Sequence, residues 1–147
     1  MTPPVRVPDI VHSTLVRSDP RSVLALLSSG EGWDRWFTDG SVFAPRVGSP
    51  VHLCWKGWTD DGSDVTDAGE VWSYVPGSTF ALTWRQPPSL VTFTVEEHPD
   101  GTWLQVVETG IPQTEEGLAR FAECALGWGE ALTLLRCYAE YGIRLST

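Results

Sequence analysis

One carboxylate in this sequence stands where a strand pattern turns it toward an apolar core. Glu108 follows Leu104 and Val106 at two-residue steps, and side chains two residues apart lie on one face of a β-strand. A carboxylate among apolar neighbours loses its hydration, which is the setting of a general acid or base. A second interpretation is open, in which Glu108 sits at the open end of the strand, hydrated or paired with Arg85 or Arg46. Glu108 is the candidate catalytic residue.

The other residues that could bind a metal ion or a nucleotide form incomplete motifs. His52 and Cys54 share a predicted strand face, but no third ligand lies at a supporting spacing. The acidic loop between Gly57 and Gly69 lacks the spacing and the closing glutamate of an EF-hand. Its carboxylates are Asp60, Asp61, Asp64 and Asp67. The segment 127–129 (GWG) lacks the third glycine of a dinucleotide fingerprint, and the GxSxG, Walker and HExxH motifs are absent. We therefore predict no metal and no cofactor.

Composition and charge limit the kinds of partner. Ten basic and nineteen acidic residues leave a net charge of −9, a sign that repels nucleic acids and anionic lipids. The amino terminus lacks the apolar core of a signal peptide, and no segment approaches the roughly 20 apolar residues of a membrane-spanning helix. The three cysteines are scattered, as is typical of reduced thiols. We predict one domain over residues 1–147, located in the cytoplasm, with no nucleic-acid and no membrane partner.

The element that must cover Glu108 is a long helix near the carboxyl end. Thr114 is a candidate N-cap, Glu115 and Glu116 suit the first turn, and Gly142 is a candidate stop. A helix of roughly 40 Å with one apolar face needs a long apolar surface beneath it. No second long helix is predicted, so the partner must be a sheet. The residues that form the apolar stripe, at steps of three and four, are Leu118, Phe121, Ala125, Trp128, Leu132, Leu135 and Ala139.

The rest of the chain has the patterns of strands and two short helices. A first strand is predicted over residues 5–16, followed by one short helix opening at Pro20 and another that carries Trp33, Trp36 and Phe37 on one face. Turn residues about every ten positions then separate β-like runs. These runs are 41–45, 50–58, 65–75, 79–86, 89–98 and 102–110. With the first strand they make seven strands.

Alternation along these strands assigns side chains to the two faces of the sheet. Phe80, Leu82 and Trp84 face the helix with Glu108, whereas the opposite face is rich in threonine. That outer face also carries Trp103 and Trp72, although a bulge near Pro76 could change the side of Trp72. Exposed indoles on one face suggest a contact patch. A homodimer through an outer patch including Trp72 and Trp103 is therefore an expectation.

The order of these elements resembles the START-like or SRPBCC superfamily, and several motifs are similar to the branch homologous to the activator of the 90-kilodalton heat-shock chaperone's ATPase. Together the motifs cover nearly the whole chain. They are WDRWFT at 33–38, GEV at 69–71 with VP at 75–76, FALTW at 80–84, VTFTV at 91–95, ETG at 108–110 and GW at 127–128. The resemblance implies an α+β helix-grip fold. In it, a seven-stranded curved antiparallel sheet, two short helices after the first strand and a long carboxyl-terminal helix enclose a cavity on the concave face.

The resemblance also implies a site and three alternative functions. The first is a binding protein for an apolar or aromatic small molecule, in which Glu108 or an arginine orients one polar group. The second is an enzyme similar to a polyketide cyclase or dehydratase, with Glu108 as the acid or base. The third is a chaperone-linked interaction protein of the stress response. Carried over by position, the cavity-lining residues are Trp36, Phe37, Trp55, Trp84, Phe93, Phe121, Trp128 and Leu132, and Glu108, singled out above from the strand pattern, is the ninth candidate ligand-binding residue. The eight tryptophans leave open whether they line the cavity or fill it.

Overall fold

An antiparallel sheet and one long helix dominate the computed structural model, which describes residues 3–145. The strands are β1 (Ile10–Val16), β2 (Pro50–Trp55), β3 (Val65–Val75), β4 (Thr79–Trp84), β5 (Ser89–His98) and β6 (Gly101–Thr109). The helices are α1 (Pro20–Ala25), α2 (Gly30–Asp34) and α3 (Glu115–Tyr141). The strands lie in the order β1-β6-β5-β4-β3-β2, so the last strand lies beside the first, and β1 and β2 form the two edges of an open sheet.

The described chain has six strands, and the prediction of seven is wrong. In the run 41–45 only Val42 pairs, exchanging two backbone hydrogen bonds with His52 of 2.8 and 3.0 Å. Pro45 has no N–H to continue the ladder, and the backbone then turns at Arg46, whose carbonyl accepts from Ser49 N at 3.0 Å. A single bridge is therefore all that this run can form.

The first strand is also shorter than predicted. It begins at Ile10 instead of residue 5, because Pro8 interrupts the possible ladder and the backbone before it is bonded elsewhere. Val7 N donates to Gln113 Oε1 at 2.9 Å, and Gln113 Nε2 donates to Val7 O at 3.0 Å. A side chain from the loop before α3 thus takes the place of a neighbouring strand.

The short helices hold an aromatic cluster against one end of the sheet. Asp19 and Ser29 cap α1 and α2 by accepting from the backbone N–H groups of the first turns. Trp33 Nε1 donates to Leu27 O at 2.8 Å, and the Trp36 and Phe37 rings stack with centroids 4.9 Å apart. The predicted ring cluster is therefore present, but the helix predicted to carry it is shorter: α2 ends at Asp34, and Trp36 and Phe37 lie in the turn that follows it.

The long helix has the predicted ends and most of the predicted face. Thr114 Oγ1 accepts from Gly117 N at 3.0 Å, and Gly142 ends the helix with a φ of 68°. Leu118, however, is 45% exposed. A Cβ on Gly117 would lie 1.7 Å from Pro112 O, so the first turn packs on the preceding loop at Gly117 and turns Leu118 to solvent.

The helix does not lie evenly over the sheet. Its backbone comes closest to β1, where His12 Nε2 is 2.8 Å from Ala125 O. Farther across the sheet, aromatic rings fill the interval, with Trp128 5.3 Å from Trp84 and 5.5 Å from Phe93 between ring centroids. This widening separation makes room for a cavity on the β2–β4 side. Within residues 3–145, no helix is both long enough and apolar enough to cross a membrane.

Candidate functional site

A cavity of about 720 Å³ lies between α3 and the β2–β4 side of the sheet. Its walls are mainly aromatic and aliphatic, and charged groups stand among them. The lining residues are Phe37, Trp55, Trp58, Val65, Thr66, Asp67, Trp84, Arg85, Gln86, Glu123, Cys124, Leu126, Gly127, Trp128, Glu130, Ala131 and Leu134. A second depression, of about 670 Å³ beside Arg17 and Asp100, is more open and has no Phe, Tyr or Trp in its wall. The cavity under α3 is therefore the candidate binding site.

Four of the sequence-predicted residues line this cavity: Phe37, Trp55, Trp84 and Trp128. The other five lie outside its wall. Trp36 is 1% exposed, is stacked on Phe37 and donates to Leu26 O at 2.9 Å. The remaining four are Phe93, Glu108 and Leu132, which are buried in the core, and Phe121, which is half-buried against it.

Sequence reasoning missed the row of α3 that faces the cavity. This row is Cys124, Gly127, Ala131 and Leu134, again at steps of three and four. It lies one residue, or about 100° of helix rotation, from the predicted row through Trp128 and Leu132. The spacing of this row was visible in the sequence, but Gly127 and Ala131 have too little side chain to be recognised as part of an apolar stripe. Gly127 faces open space, since a Cβ there would meet no atom within 4 Å.

Glu108 is the buried centre of a hydrogen-bond network behind the cavity wall. It is 0% exposed, so the inward orientation expected from strand alternation is confirmed. One carboxylate oxygen accepts from Trp84 Nε1 at 3.0 Å and from Ser89 Oγ at 2.6 Å, and the other accepts from Trp128 Nε1 at 2.9 Å. All three partners donate, so the carboxylate acts only as an acceptor, as the ionised form does.

The interpretation that paired Glu108 with Arg85 or Arg46 is wrong. The guanidinium that joins the network belongs to Arg120, whose Nη2 donates to Ser89 Oγ at 2.7 Å and whose Nη1 donates to Pro87 O at 2.6 Å. Ser89 therefore accepts from Arg120 and donates to Glu108. This arrangement places the compensating positive charge one hydroxyl group away from the buried carboxylate.

The network holds two indoles by their N–H edges. Trp84 comes from β4 and Trp128 from α3, and both donate to Glu108 while their rings line the cavity. Since each indole is held at its N–H edge and packed against the other ring at 5.3 Å, the aromatic wall is built before any ligand arrives. Glu108 thus connects sheet and helix at the cavity, although it is not part of the wall.

Charged groups and a thiol complete the site. Asp67 accepts from the backbone N of Arg85 at 2.9 Å and lies 3.8 Å from Arg85 Nε, while the Arg85 guanidinium is 5.2 Å from the centre of the Trp84 ring. Glu123 is exposed on α3. Burial, reinforced by the negative charge of Glu108, raises the pKa of Cys124 to about 11, so this thiol is neutral at physiological pH.

The His52–Cys54 pair and three of the four loop carboxylates, Asp60, Asp61 and Asp64, lie outside the cavity wall, whereas Asp67 is part of it. Across residues 3–145, no three His, Cys, Asp or Glu side chains are grouped so that they could hold a metal ion. In the loop, Asp61 accepts hydrogen bonds from the side chains of Ser63 and Thr59. These hydrogen bonds lower the pKa of Asp61 to about 2, so the loop satisfies this carboxylate internally.

Comparison with known proteins gives a family match and many similar folds. The model of the family described as activator of Hsp90 ATPase homolog 1-like protein matches residues 17–140. No curated protein matches the chain. Among solved structures, the AHSA1-like protein of Aeromonas hydrophila has 17% sequence identity and a TM-score of 0.76, over 92% of this chain and 94% of that chain.

Two further structures are similar. The Aha1 dimer of Colwellia psychrerythraea has 18% identity and a TM-score of 0.74, over 92% of this chain and 98% of that chain. DynU16, a protein in the dynemicin biosynthetic locus, has 15% identity and a TM-score of 0.71, over 91% of this chain but 48% of its own. At these identities the likeness shows the fold.

Proposed function

This chain belongs to the activator of Hsp90 ATPase homolog 1-like family, and on that premise we propose that it binds an apolar, aromatic small molecule in the cavity under α3. The observation that carries the proposal is a space of about 720 Å³ walled by the rings of Phe37, Trp55, Trp84 and Trp128. Small-molecule sites are usually preformed, mainly apolar clefts of about this size with a few polar groups.

The mechanism is burial against preorganised rings. Each 100 Å² of apolar ligand surface removed from water contributes about 2.5 kcal/mol, before the entropic cost of association. Because Glu108 already holds Trp84 and Trp128, binding does not have to order these two side chains. Glu108 therefore acts as a positioning residue for the wall, and it is not required to touch the ligand.

The alternative is an enzyme similar to a polyketide cyclase, with Glu108 as acid or base. The presence of DynU16 in a biosynthetic locus is compatible with that idea, but the geometry of Glu108 favours binding. Both carboxylate oxygens already accept hydrogen bonds, and the residue lies outside the cavity wall. A general base must come within hydrogen-bond reach of the proton it removes, which here would require displacing an indole.

A titration with N-phenyl-1-naphthylamine, an uncharged fluorescent probe of apolar sites, tests the binding proposal. We expect saturable binding by the native chain and about tenfold weaker binding by Gly127→Phe, whose ring has open space beside it and can enter the cavity. Ala122→Phe is the matched control, because residue 122 is exposed on α3 and does not line the cavity.

The two variants distinguish the cavity from the rest of the surface. If the native chain does not bind the probe, or if both folded phenylalanine variants bind it as the native chain does, the proposed site is wrong. Native mass spectrometry of the purified protein would show in addition whether an apolar compound stays bound.

We also propose a homodimer through the outer face of the sheet. Trp72 and Trp103 are 61% and 41% exposed, and the Aha1 protein of Colwellia psychrerythraea forms a dimer. The two indoles lie on β3 and β6 with two strands between them, so they would make separate contacts. Light scattering should give the mass of a dimer that falls to a monomer in Trp103→Glu. A monomeric native chain would contradict this part of the proposal.

A cytoplasmic location is likewise a proposal. Cys54, Cys124 and Cys137 are free thiols, and free thiols are typical of reducing compartments. A chaperone partner, which the family name suggests, stays a third alternative. Its test is binding of a heat-shock chaperone that depends on outer residues such as Trp103.

A further inference from the structure

Among the five buried tryptophans, Trp55 differs from the others because its indole N–H has no acceptor in the described residues. Trp33 and Trp36 donate to backbone carbonyls, and Trp84 and Trp128 donate to Glu108. Trp55 is 5% exposed, but its buried Nε1 has no acceptor within residues 3–145. Buried N–H groups in native proteins are nearly always paired, and exceptions call for an explanation.

The position of Trp55 indicates what the missing acceptor is. Trp55 lines the cavity, and its ring is held by Phe37, Trp58 and Trp84, with centroid distances of 5.4, 5.8 and 6.4 Å. An indole packed by three rings cannot rotate freely to another partner. The Trp55 ring is thus held in the wall of the site proposed above, with its N–H edge closed to water, so a ligand oxygen must enter beside this edge to pair with it.

We propose that Trp55 Nε1 is the polar recognition group of the cavity, and that the ligand is an uncharged aromatic molecule with an oxygen acceptor such as a carbonyl. This inference rests on the proposed binding function and adds the chemical class of the ligand. An apolar ring system packs against the aromatic walls, while its oxygen accepts the hydrogen bond that Trp55 Nε1 makes with no group of the described residues.

Charges around the cavity argue against an anion or a cation. Glu123 and Glu130 are exposed lining residues and repel a carboxylate ligand. Arg85 Nε also lacks an acceptor, but the charge of this side chain is already compensated by Asp67 at 3.8 Å and by the Trp84 ring. An ammonium group has no lone pair for the indole N–H. A ligand with an uncharged hydrogen-bond acceptor therefore suits the cavity best.

Two probes of nearly equal shape test the inference. 2-Acetylnaphthalene carries a carbonyl oxygen where 2-isopropenylnaphthalene carries a methylene group. Their dissociation constants are measured for the native chain, Trp55→Phe and the control Leu134→Ala, with denaturation curves to establish folding. Trp55→Phe removes the donor, whereas Leu134→Ala removes apolar wall surface that carries no donor and is not one of the rings that hold Trp55.

We expect Trp55→Phe to reduce the preference for the ketone over the hydrocarbon by about threefold to tenfold, the size of one hydrogen bond. Leu134→Ala should weaken binding of both probes and leave that preference unchanged. In the native chain, the ketone should also shift the indole N–H resonance of Trp55 downfield in a ¹H–¹⁵N spectrum, and the hydrocarbon should not. This spectrum needs no variant to fold.

The outcomes separate the two proposals. If the native chain binds both probes, but Trp55→Phe leaves the preference unchanged or the Trp55 resonance responds equally to both, the recognition role of Trp55 is overturned and the binding function stands. If the native chain binds neither probe, the binding function is overturned and the inference falls with it.

Discussion

Replacement of Glu108 by glutamine should destabilise the fold by about 3–5 kcal/mol, the usual cost of removing one member of a buried charge network. The two side chains have nearly the same shape, so the substitution creates no cavity. It exchanges one acceptor oxygen for an NH2 group that can only donate. Every partner of Glu108 donates a hydrogen bond to it. The new NH2 group must therefore face at least one of these donors, with which it cannot pair as the oxygen did.

The structure allows the cheaper orientation to be identified. If the NH2 group replaces the oxygen that contacts Trp84 and Ser89, the hydrogen bond from Trp84 is lost and the Ser89 hydroxyl must also turn its proton away from residue 108. If it replaces the other oxygen, only the hydrogen bond from Trp128 is lost, and one buried indole N–H is left unpaired at a cost of about 1–3 kcal/mol. Loss of the negative charge that compensates Arg120 adds to this in either orientation.

Urea denaturation of the native chain and Glu108→Gln measures the change in the free energy of unfolding. A loss of this size is a large part of the 5–15 kcal/mol typical of a domain, and it should lower the melting temperature by roughly 6–20 °C. A double-mutant cycle with Trp128→Phe then isolates the contact. Trp128→Phe removes the indole N–H that the new NH2 group leaves unpaired. The double variant should therefore be about 1–3 kcal/mol more stable than the sum of the two single effects predicts.

Trp36→Phe supplies the control for this cycle. Its indole donates to Leu26 O and shares no hydrogen-bond partner with Glu108, so the two substitutions should be additive within about 0.5 kcal/mol. The reasoning is refuted if Glu108→Gln costs under about 1 kcal/mol, or if Trp128→Phe couples to it no more strongly than Trp36→Phe does.

Two further predictions concern titrating groups. The pKa of Cys124, raised by burial to about 11, should slow its alkylation by iodoacetamide at pH 8 about 100-fold relative to the urea-unfolded chain, and equal rates would contradict its burial. Because this pKa is higher in the folded chain, the associated stability is present below about pH 9 and is lost as the pH rises toward about 11, which denaturation curves across that range can measure. For Asp61, hydrogen bonds from Ser63 and then Thr59 lower the pKa to about 2, so its stabilising effect is present above about pH 4 and is lost as the pH falls through about 2. The carboxyl titration followed by NMR should move upward in Ser63→Ala, and an unchanged midpoint would show that these hydrogen bonds are not the cause.

Much of the fold could be predicted from local patterns. Thr114, Gly142 and the spacing of apolar residues between them identify α3, because caps and periodicity act within one or two turns of the chain. Alternation along β6 predicted the inward orientation of Glu108 for the same reason. The failures at residues 41–45 and before Ile10 also have local causes in part, since Pro45 and Pro8 interrupt the ladders, but the competing partner Gln113 is distant in sequence.

The partners of Glu108 could not be predicted in this way. Trp84 and Ser89 meet because β4 and β5 pair them directly, and the register of β5 with β6 sets Val91 opposite Glu108. Arg120 and Trp128 then arrive from α3. Several arginines were compatible with the sequence, and only the packing of the helix on the sheet selected Arg120 over Arg85 and Arg46.

The sequence by itself therefore determined the helix, most of the strands, and which side chains turn inward, because periodicity and capping depend on neighbours along the chain. The tertiary structure decided the partners of the buried carboxylate, the cavity and the unpaired donor of Trp55. Each of these depends on how far α3 stands from β2–β4, and that separation results from the combined packing of residues far apart in sequence.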